Sequence, residues 1–219
     1  MSINKYNTFV FDCDGVVLNS NHTKTRAFYN VALPYGKKVA DSLKQYHVEN
    51  GGISRYEKFQ YFINNILGKE NDDVFLEELL DRYSTEVVEG LMNCGIAEGL
   101  TESRLKTKGA TWLIVSGSDQ IELREVFKQR GLEQYFDGGI FGSPDDKDVI
   151  LAREISRKNI SGESLFIGDS VYDFNASKRA GLEFVFISDW TEVEEWEGFC
   201  RQNNIVNKES LKKLFYEKN

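Results

Sequence analysis

Thr8-Phe9-Val10-Phe11-Asp12-Cys13-Asp14-Gly15-Val16-Val17 is a short strand-forming run that ends in two carboxylates and a glycine. Thr8–Phe11 is nearly continuous in apolar character, which suits a strand buried on both faces. In an extended chain Asp12 and Asp14, two positions apart, share one face. Carboxylates held that close repel, so such a pair either holds a metal or divides into base and acid roles. Gly15 allows the chain to turn away sharply. Asp-Gly is also an ordinary turn, and that plain reading competes with the chemical one. A calcium loop starting at Asp12 fails, because its third ligand position falls on Val16 and its twelfth residue is Thr23 rather than Glu.

Similar apolar runs recur. Residues 111–115 end in Ser116-Gly117-Ser118, residues 164–167 in Gly168-Asp169-Ser170, and Glu183–Ile187 in Ser188-Asp189; residues 138–141 form a weaker candidate. Between them, residues 119–129, 147–158 and 172–180 carry helical patterns, the last stopping at Gly181. Strand alternating with helix predicts an α/β fold with a Rossmann-like parallel sheet flanked by helices. Open sheets of this kind place ligands at the carboxyl ends of their strands. Residues 20–88 show no strand. Helices are expected at 25–31, 39–46, 56–67 and 74–88, with breaks at Asn50-Gly51-Gly52 and Gly68-Lys69. The expected division is a core of residues 1–18 and 94–219 and an inserted all-helical domain of residues 19–93.

The chain has 219 residues, 41% apolar and 28% charged, with 27 basic and 35 acidic side chains and a net charge of −8. That composition belongs to a folded protein. The negative charge argues against broad nucleic-acid or anionic-membrane binding. No apolar run is long enough to span a membrane, and the start lacks the features of a signal peptide. Cys13, Cys94 and Cys200 have neither disulfide nor zinc spacing, so reduced packing thiols in a cytoplasmic protein are expected.

Ser116, Lys147, Asp169 and Asp173 all fall at or just past expected strand ends, in the order that resembles the haloacid dehalogenase superfamily. Phe-Asp-Cys-Asp-Gly-Val (11–16) looks like its first motif, Ile-Val-Ser-Gly-Ser (114–118) its second, Lys147 its third and Gly-Asp-Ser-Val-Tyr-Asp (168–173) its fourth. The resemblance implies that Asp12 is a nucleophile forming an aspartyl-phosphate and that Asp14 is the general acid and base. It also implies that Ser116, Gly117 and Lys147 hold the phosphoryl group. Mg²⁺ would be bound by Asp12, Asp169, the backbone carbonyl of Asp14, and Asp173 directly or through water. The acid role requires Asp14 to be protonated when substrate binds, which crowded carboxylates favour. Four carboxylates against the one ammonium of Lys147 independently call for a divalent cation. An acid at position 14 separates phosphate-ester chemistry from the dehalogenase and phosphonatase members.

The helical insertion resembles the cap of the phosphoglycolate phosphatase and β-phosphoglucomutase branch. Asn-Gly-Gly-Ile-Ser-Arg (50–55) is similar to a mutase cap loop, which makes Arg55 a candidate substrate-anion ligand; a solvated Arg55 after a Ser54 N-cap is the alternative. Lys24 occupies the place of a mutase hinge residue and is a second candidate at the substrate. His22 is a weaker one, and His47 is expected on a helix surface. Phe59, Phe62, Ile63 and Ile66 have the spacing of an inserted core. Trp190 and Trp196 suggest packing only. Asn19 and Asp148 depart from the common pattern, as does Gly168, where the mutases often carry Glu. The expected function is a Mg²⁺-dependent phosphatase of a small phosphorylated metabolite, with a sugar or saccharide-linked phosphate as a candidate substrate, acting as a monomer or weak dimer. A phosphosugar mutase is the alternative, and a non-catalytic binding protein on the same fold is the third.

Overall fold

The computed structural model describes residues 2–70 and 72–216. Strand β1 (Thr8–Phe11) is buried at all four positions and lies in the middle of a six-stranded parallel sheet. The other strands are β2 (Thr111–Asp119), β3 (Gly139–Ser143), β4 (Ser164–Gly168), β5 (Glu183–Ile187) and β6 (Val206–Lys208), in the spatial order β3-β2-β1-β4-β5-β6. Phe11 is in register with both Ile114 of β2 and Ile167 of β4. β1 and β4 end within one residue of this level, whereas β2 runs on to Asp119. The order reverses between β1 and β4, and a crevice opens at their carboxyl ends.

The ten α-helices among the described residues begin with α1 (Asn21–Ala32), α2 (Lys37–Glu49), α3 (Arg55–Tyr61) and α4 (Asp73–Asn93). The sheet is flanked by α5 (Leu100–Lys106), α6 (Gln120–Gln129), α7 (Lys147–Ser156), α8 (Val171–Arg179), α9 (Trp196–Gln202) and α10 (Leu211–Tyr216). On one face Phe9, Phe11 and Trp112 pack with Phe136 and Phe215, the Phe11 and Trp112 rings lying 4.6 Å apart. On the other, Val10, Leu113, Val115 and Phe166 meet Ile150, Leu151 and Ala176. Both faces are apolar because helices cover both.

Helices α1–α4 form the insertion between β1 and β2. Leu79, Tyr83, Val87 and Leu91 recur every four residues along α4, and all are buried. They meet an inserted core of Phe28, Phe59, Phe62 and Ile63. The two connecting segments run side by side and are tied by Asn19 N–H donating to the Gly95 carbonyl and Ala97 N–H donating to that of Val17, both at 2.9 Å.

The structure departs from the sequence expectations in several elements. The helix expected at 56–67 changes to π geometry at Phe62–Ile66, with Leu67 N–H donating to the Phe62 carbonyl at 2.9 Å, before Gly68 turns the chain at φ +63°. The extra residue per turn lets both Phe62 and Ile63 face the core. β6 was not foreseen, nor were α5, α9 and α10. β6 is a short edge strand whose Val206 and Asn207 are exposed, so it lacks the apolar pattern of a buried strand. No helix among the described residues is long and apolar enough to cross a membrane, and the three cysteines are free, Cys13 and Cys200 buried and Cys94 half-buried.

Candidate active site

Beyond Phe11 the chain leaves the sheet and turns at Gly15, whose φ is +76°. A Cβ there would lie 2.0 Å from Asp169 Oδ2, so glycine is required both for the turn and for the closeness of the two acidic segments. Asp12 follows β1, and its backbone N–H donates to the Ile167 carbonyl at 2.9 Å. Asp146 caps α7 by accepting from Val149 N–H, which puts Lys147 at the first helical position, aimed inward and buried. Ser170 and Asp173 form a capping box at the start of α8. Asp173 Oδ2 accepts from Asp169 N–H, Ser170 N–H and the Ser170 hydroxyl, leaving Oδ1 for Lys147.

Lys147 Nζ donates to Asp12 Oδ1 at 2.8 Å and to Asp173 Oδ1 at 2.5 Å. Burial works against the Lys147 ammonium, but Asp12 and Asp173 hold it protonated. Asp12, Asp169 and Asp173 present carboxylate oxygens within 4.8 Å of one another, all buried. With all three ionised, three carboxylates against one ammonium would leave two uncompensated negative charges in a low-dielectric site. The strain shows in the acids. Burial pushes Asp12 up to about 7 against the pull of Lys147, with Asp173 and Asp14 adding to the rise. Burial, then Asp12 and Asp173, push Asp169 well above the carboxylate range. An oxygen-rich site with a deficit of two positive charges fits a small divalent cation such as Mg²⁺.

Asp14 differs from this group. Its Oδ2 accepts from Lys24 Nζ at 2.6 Å and from the Ser118 hydroxyl at 2.8 Å, and its Oδ1 from the Ser20 hydroxyl at 2.5 Å. Burial opposes ionisation, but Lys24 and these hydrogen bonds outweigh it and hold Asp14 at about 2. These partners favour the Asp14 carboxylate, against the protonated form that crowding favours. Lys24 brings a second cation that a count of Lys147 alone omits. The hydroxyl of Ser118, which also contacts Lys24, links Asp14 to Ser116 Oγ at 3.1 Å.

Gly117 lies under the loop between α2 and α3. A Cβ at 117 would sit 2.3 Å from the Gly52 carbonyl oxygen, so this loop rests directly on the end of β2. Together they enclose a cavity of about 70 Å³ lined by Asp12, Asp14, Asp169, Gly117, Lys24 and Arg55, among others.

Arg55 reaches the cavity but is already engaged. Its NH1 and NH2 donate to the two carboxylate oxygens of Glu122 on α6 at 3.0 and 2.5 Å, and NH1 also donates to Ser84. Its guanidinium lies 4.6 Å from the centre of the Tyr83 ring. It is buried rather than solvated, and its pairing ties the inserted helices to α6. Ser54 does cap α3, accepting from Glu57 N–H at 3.3 Å. Lys24 is buried, contrary to a solvated lysine. His22 is exposed and pairs with Glu192. His47, expected on a surface, is buried beneath Phe28 and beside Lys58; packing of α2 on α1 covers it.

The sequence reading missed several residues of the site. Asn21 holds Asp169 Oδ2 at 2.8 Å and also donates to the Trp190 carbonyl. Thr191 donates to the Asp169 carbonyl at 2.6 Å. Glu192 and Val193 line the cavity, and Glu192 accepts from Thr25 of α1. The segment after β5 thus joins the sheet to the insertion, with half-buried Trp190 packed beneath it. Ser118 ends the second motif and was within reach of sequence reasoning, whereas Asn21 lies five residues beyond the first. Thr191, Glu192 and Lys58 carried no signal of their own.

Residues 9–187 match the family described as haloacid dehalogenase-like hydrolase. The phosphorylated carbohydrates phosphatase of Thermotoga maritima is 26% identical over 185 residues, covering 81% of this chain and 82% of that protein. The crystal structure of β-phosphoglucomutase from Clostridium difficile has a TM-score of 0.70 at 18% identity, covering 96% of this chain and 94% of the other. That of a hydrolase from Pseudomonas syringae has 0.71 at 19%, covering 95% of each. At such identities the structural likeness is one of fold. With the motifs in order and the family match spanning most of the sheet, the chain belongs to the haloacid dehalogenase-like hydrolase family.

Proposed function

We propose that the protein is a Mg²⁺-dependent phosphatase of a small phosphomonoester, with residues 19–93 acting as a cap over a core of residues 1–18 and 94–219. The observation that carries this reading is the meeting of Asp12, Lys147 and Asp169 at strand ends beneath the loop around Gly52. Asp12, Asp169 and the Asp14 carbonyl would hold the ion, with Asp173 beside them. When bound, Mg²⁺ supplies positive charge to the phosphoryl oxygens.

The Ser116 hydroxyl, the Gly117 backbone and the Lys147 ammonium hold the phosphoryl group. A carboxylate oxygen of Asp12 attacks phosphorus, the ester P–O bond breaks, and the departing oxygen takes a proton from Asp14. Asp14, now a carboxylate, then removes a proton from water. The water oxygen attacks the same phosphorus, which releases orthophosphate and regenerates Asp12. Lys24 and the hydrogen bonds to Asp14 favour its ionised form. An arriving phosphate dianion raises the pKa of a neighbouring carboxylate and so moves Asp14 toward the form the first step needs. Closure of the Gly52 loop keeps bulk water from the reacting centre.

The name of the Thermotoga relative supports a phosphorylated carbohydrate as the substrate class. A mutase on the same site would return the phosphoryl group to a sugar. Gly168 speaks against it: a Cβ there would lie 2.5 Å from Asp173 Cβ, which leaves no room for the Glu that such mutases often carry. A phosphate-release screen of phosphorylated metabolites with Mg²⁺, using Asp12→Asn as the blank, tests the proposal. Release without added sugar bisphosphate is expected. Wild-type turnover by Asp12→Asn would overturn it.

A further inference from the structure

Three of the cations around the cavity have carboxylate partners: Lys24 has Asp14, Arg55 has Glu122, and Lys147 has Asp12 and Asp173. Lys58 of α3 does not. Its side chain lines the same cavity and its residue is only 2% exposed. Among the described residues its polar contact is His47 Nδ1 at 2.8 Å. The Phe28 ring lies under both, 5.4 Å from Lys58 Nζ and 4.4 Å from the imidazole. Asp14, Glu192 and Glu57 act on Lys58 only through space, and Lys24 repels it. Burial first, then Lys24, pulls the Lys58 ammonium down to about 7. Burial and the two lysines keep His47 neutral, so its Nδ1 accepts from Lys58 and cannot supply a counter-charge.

A buried cation without a counter-ion is costly, and the cost disappears when an anion enters beside it. Asp12, Asp14 and Asp169 line the cavity as well, and the transferred phosphoryl group belongs with them. We infer that Lys58, oriented by His47, is the specificity residue that receives a second anionic group of the substrate, a carboxylate or a further phosphate, apart from the phosphoryl group that is transferred. This rests on the phosphatase reading and narrows its substrates to phosphomonoesters with two anionic ends. It moves the second-anion role from Arg55, whose charge is already matched, to Lys58. His47 is a positioning residue for it.

The test compares kcat/KM within matched pairs: glycerol phosphate against phosphoglycerate, and a hexose monophosphate against its bisphosphate. A charge-assisted contact in a buried site predicts a preference for the second member of one pair or both by about tenfold or more. The carboxylate pair and the bisphosphate pair tell the two anions apart. Lys58→Met is expected to bring the ratio close to one, and Lys58→Arg to retain it. His47→Gln, which keeps an acceptor, should preserve more of the ratio than His47→Leu. A wild-type enzyme that prefers the singly anionic member of both pairs overturns the inference without any variant. So does a ratio unmoved by Lys58→Met. Asp12-dependent hydrolysis of 4-nitrophenyl phosphate serves as the separate readout. Its absence removes the phosphatase reading and the inference together, whereas its presence without Lys58-dependent discrimination removes only the inference.

Discussion

Replacing Glu122 by Gln tests whether Arg55 ties the inserted helices to the sheet. The pair is bidentate at 2.5 and 3.0 Å, and the two side chains are 5% and 11% exposed. The guanidinium is also fixed by Ser84 and by the Tyr83 ring, so it cannot swing into water when its partner is lost. Removing one member of a buried pair typically costs about 3–5 kcal/mol, because the other charge is left uncompensated. Gln keeps one acceptor, which places Glu122→Gln nearer 2 kcal/mol. Arg55→Met removes the other charge and keeps much of the packing volume. The combined variant should be less destabilised than the sum of the two, with a coupling of about 2 kcal/mol. Urea unfolding of the four proteins at one pH measures it. Coupling below about 0.5 kcal/mol would mean additive sites and would refute the tie. Arg55 would then be free to serve as the anion ligand that the loop sequence suggests.

Other outcomes follow from the same structure. Asp12 has its folded pKa raised to about 7, so its contribution to stability is present at low pH and is lost as pH rises from about 4 to 7. Asp12→Asn should therefore raise the Tm of the metal-free protein at about pH 8 by several degrees and have much less effect near pH 5; an equal gain at both would contradict the assignment. In Gly15→Ala the Cβ would meet Asp169 Oδ2 at 2.0 Å on a backbone at φ +76°. At least about 1 kcal/mol of backbone strain should be accompanied by loss of Mg²⁺-induced stabilisation in thermal melts. Phe215→Ala removes a buried ring stacked on Trp112 at 5.7 Å. It should cost about 3–5 kcal/mol in urea while leaving the substrate preference ratios unchanged.

Strands β1, β2, β4 and β5 were legible because each carries a short apolar run that stops at a polar cluster, the pattern that buried strands leave. The candidate site was legible for the same reason: Asp12, Lys147, Asp169 and Asp173 sit at or just past the ends of the apolar runs. β6 was not, since Val206 and Asn207 are exposed at the sheet edge and carry no periodicity. The state of Asp14 was not legible either. It depends on Lys24, ten residues further on, and on Ser118, which only the sheet brings beside it. Lys58, His47 and Glu122 look solvated when read as charges on helices. Their burial comes from helix-on-helix and helix-on-sheet packing, which a single helix's periodicity does not contain.

The central claim is that Asp12 carries the phosphoryl group between ester and water. Asp14→Asn should retain the nucleophile but lose the base that activates water. With 4-nitrophenyl phosphate, whose leaving group departs without an acid, this variant with Mg²⁺ should accumulate the aspartyl-phosphate. Mass spectrometry after acid quench should find the peptide containing Asp12 heavier by one phosphoryl group, and Asp12→Asn should show no such adduct. Release of nitrophenolate by Asp14→Asn with Asp12 unmodified at every time point would contradict the account.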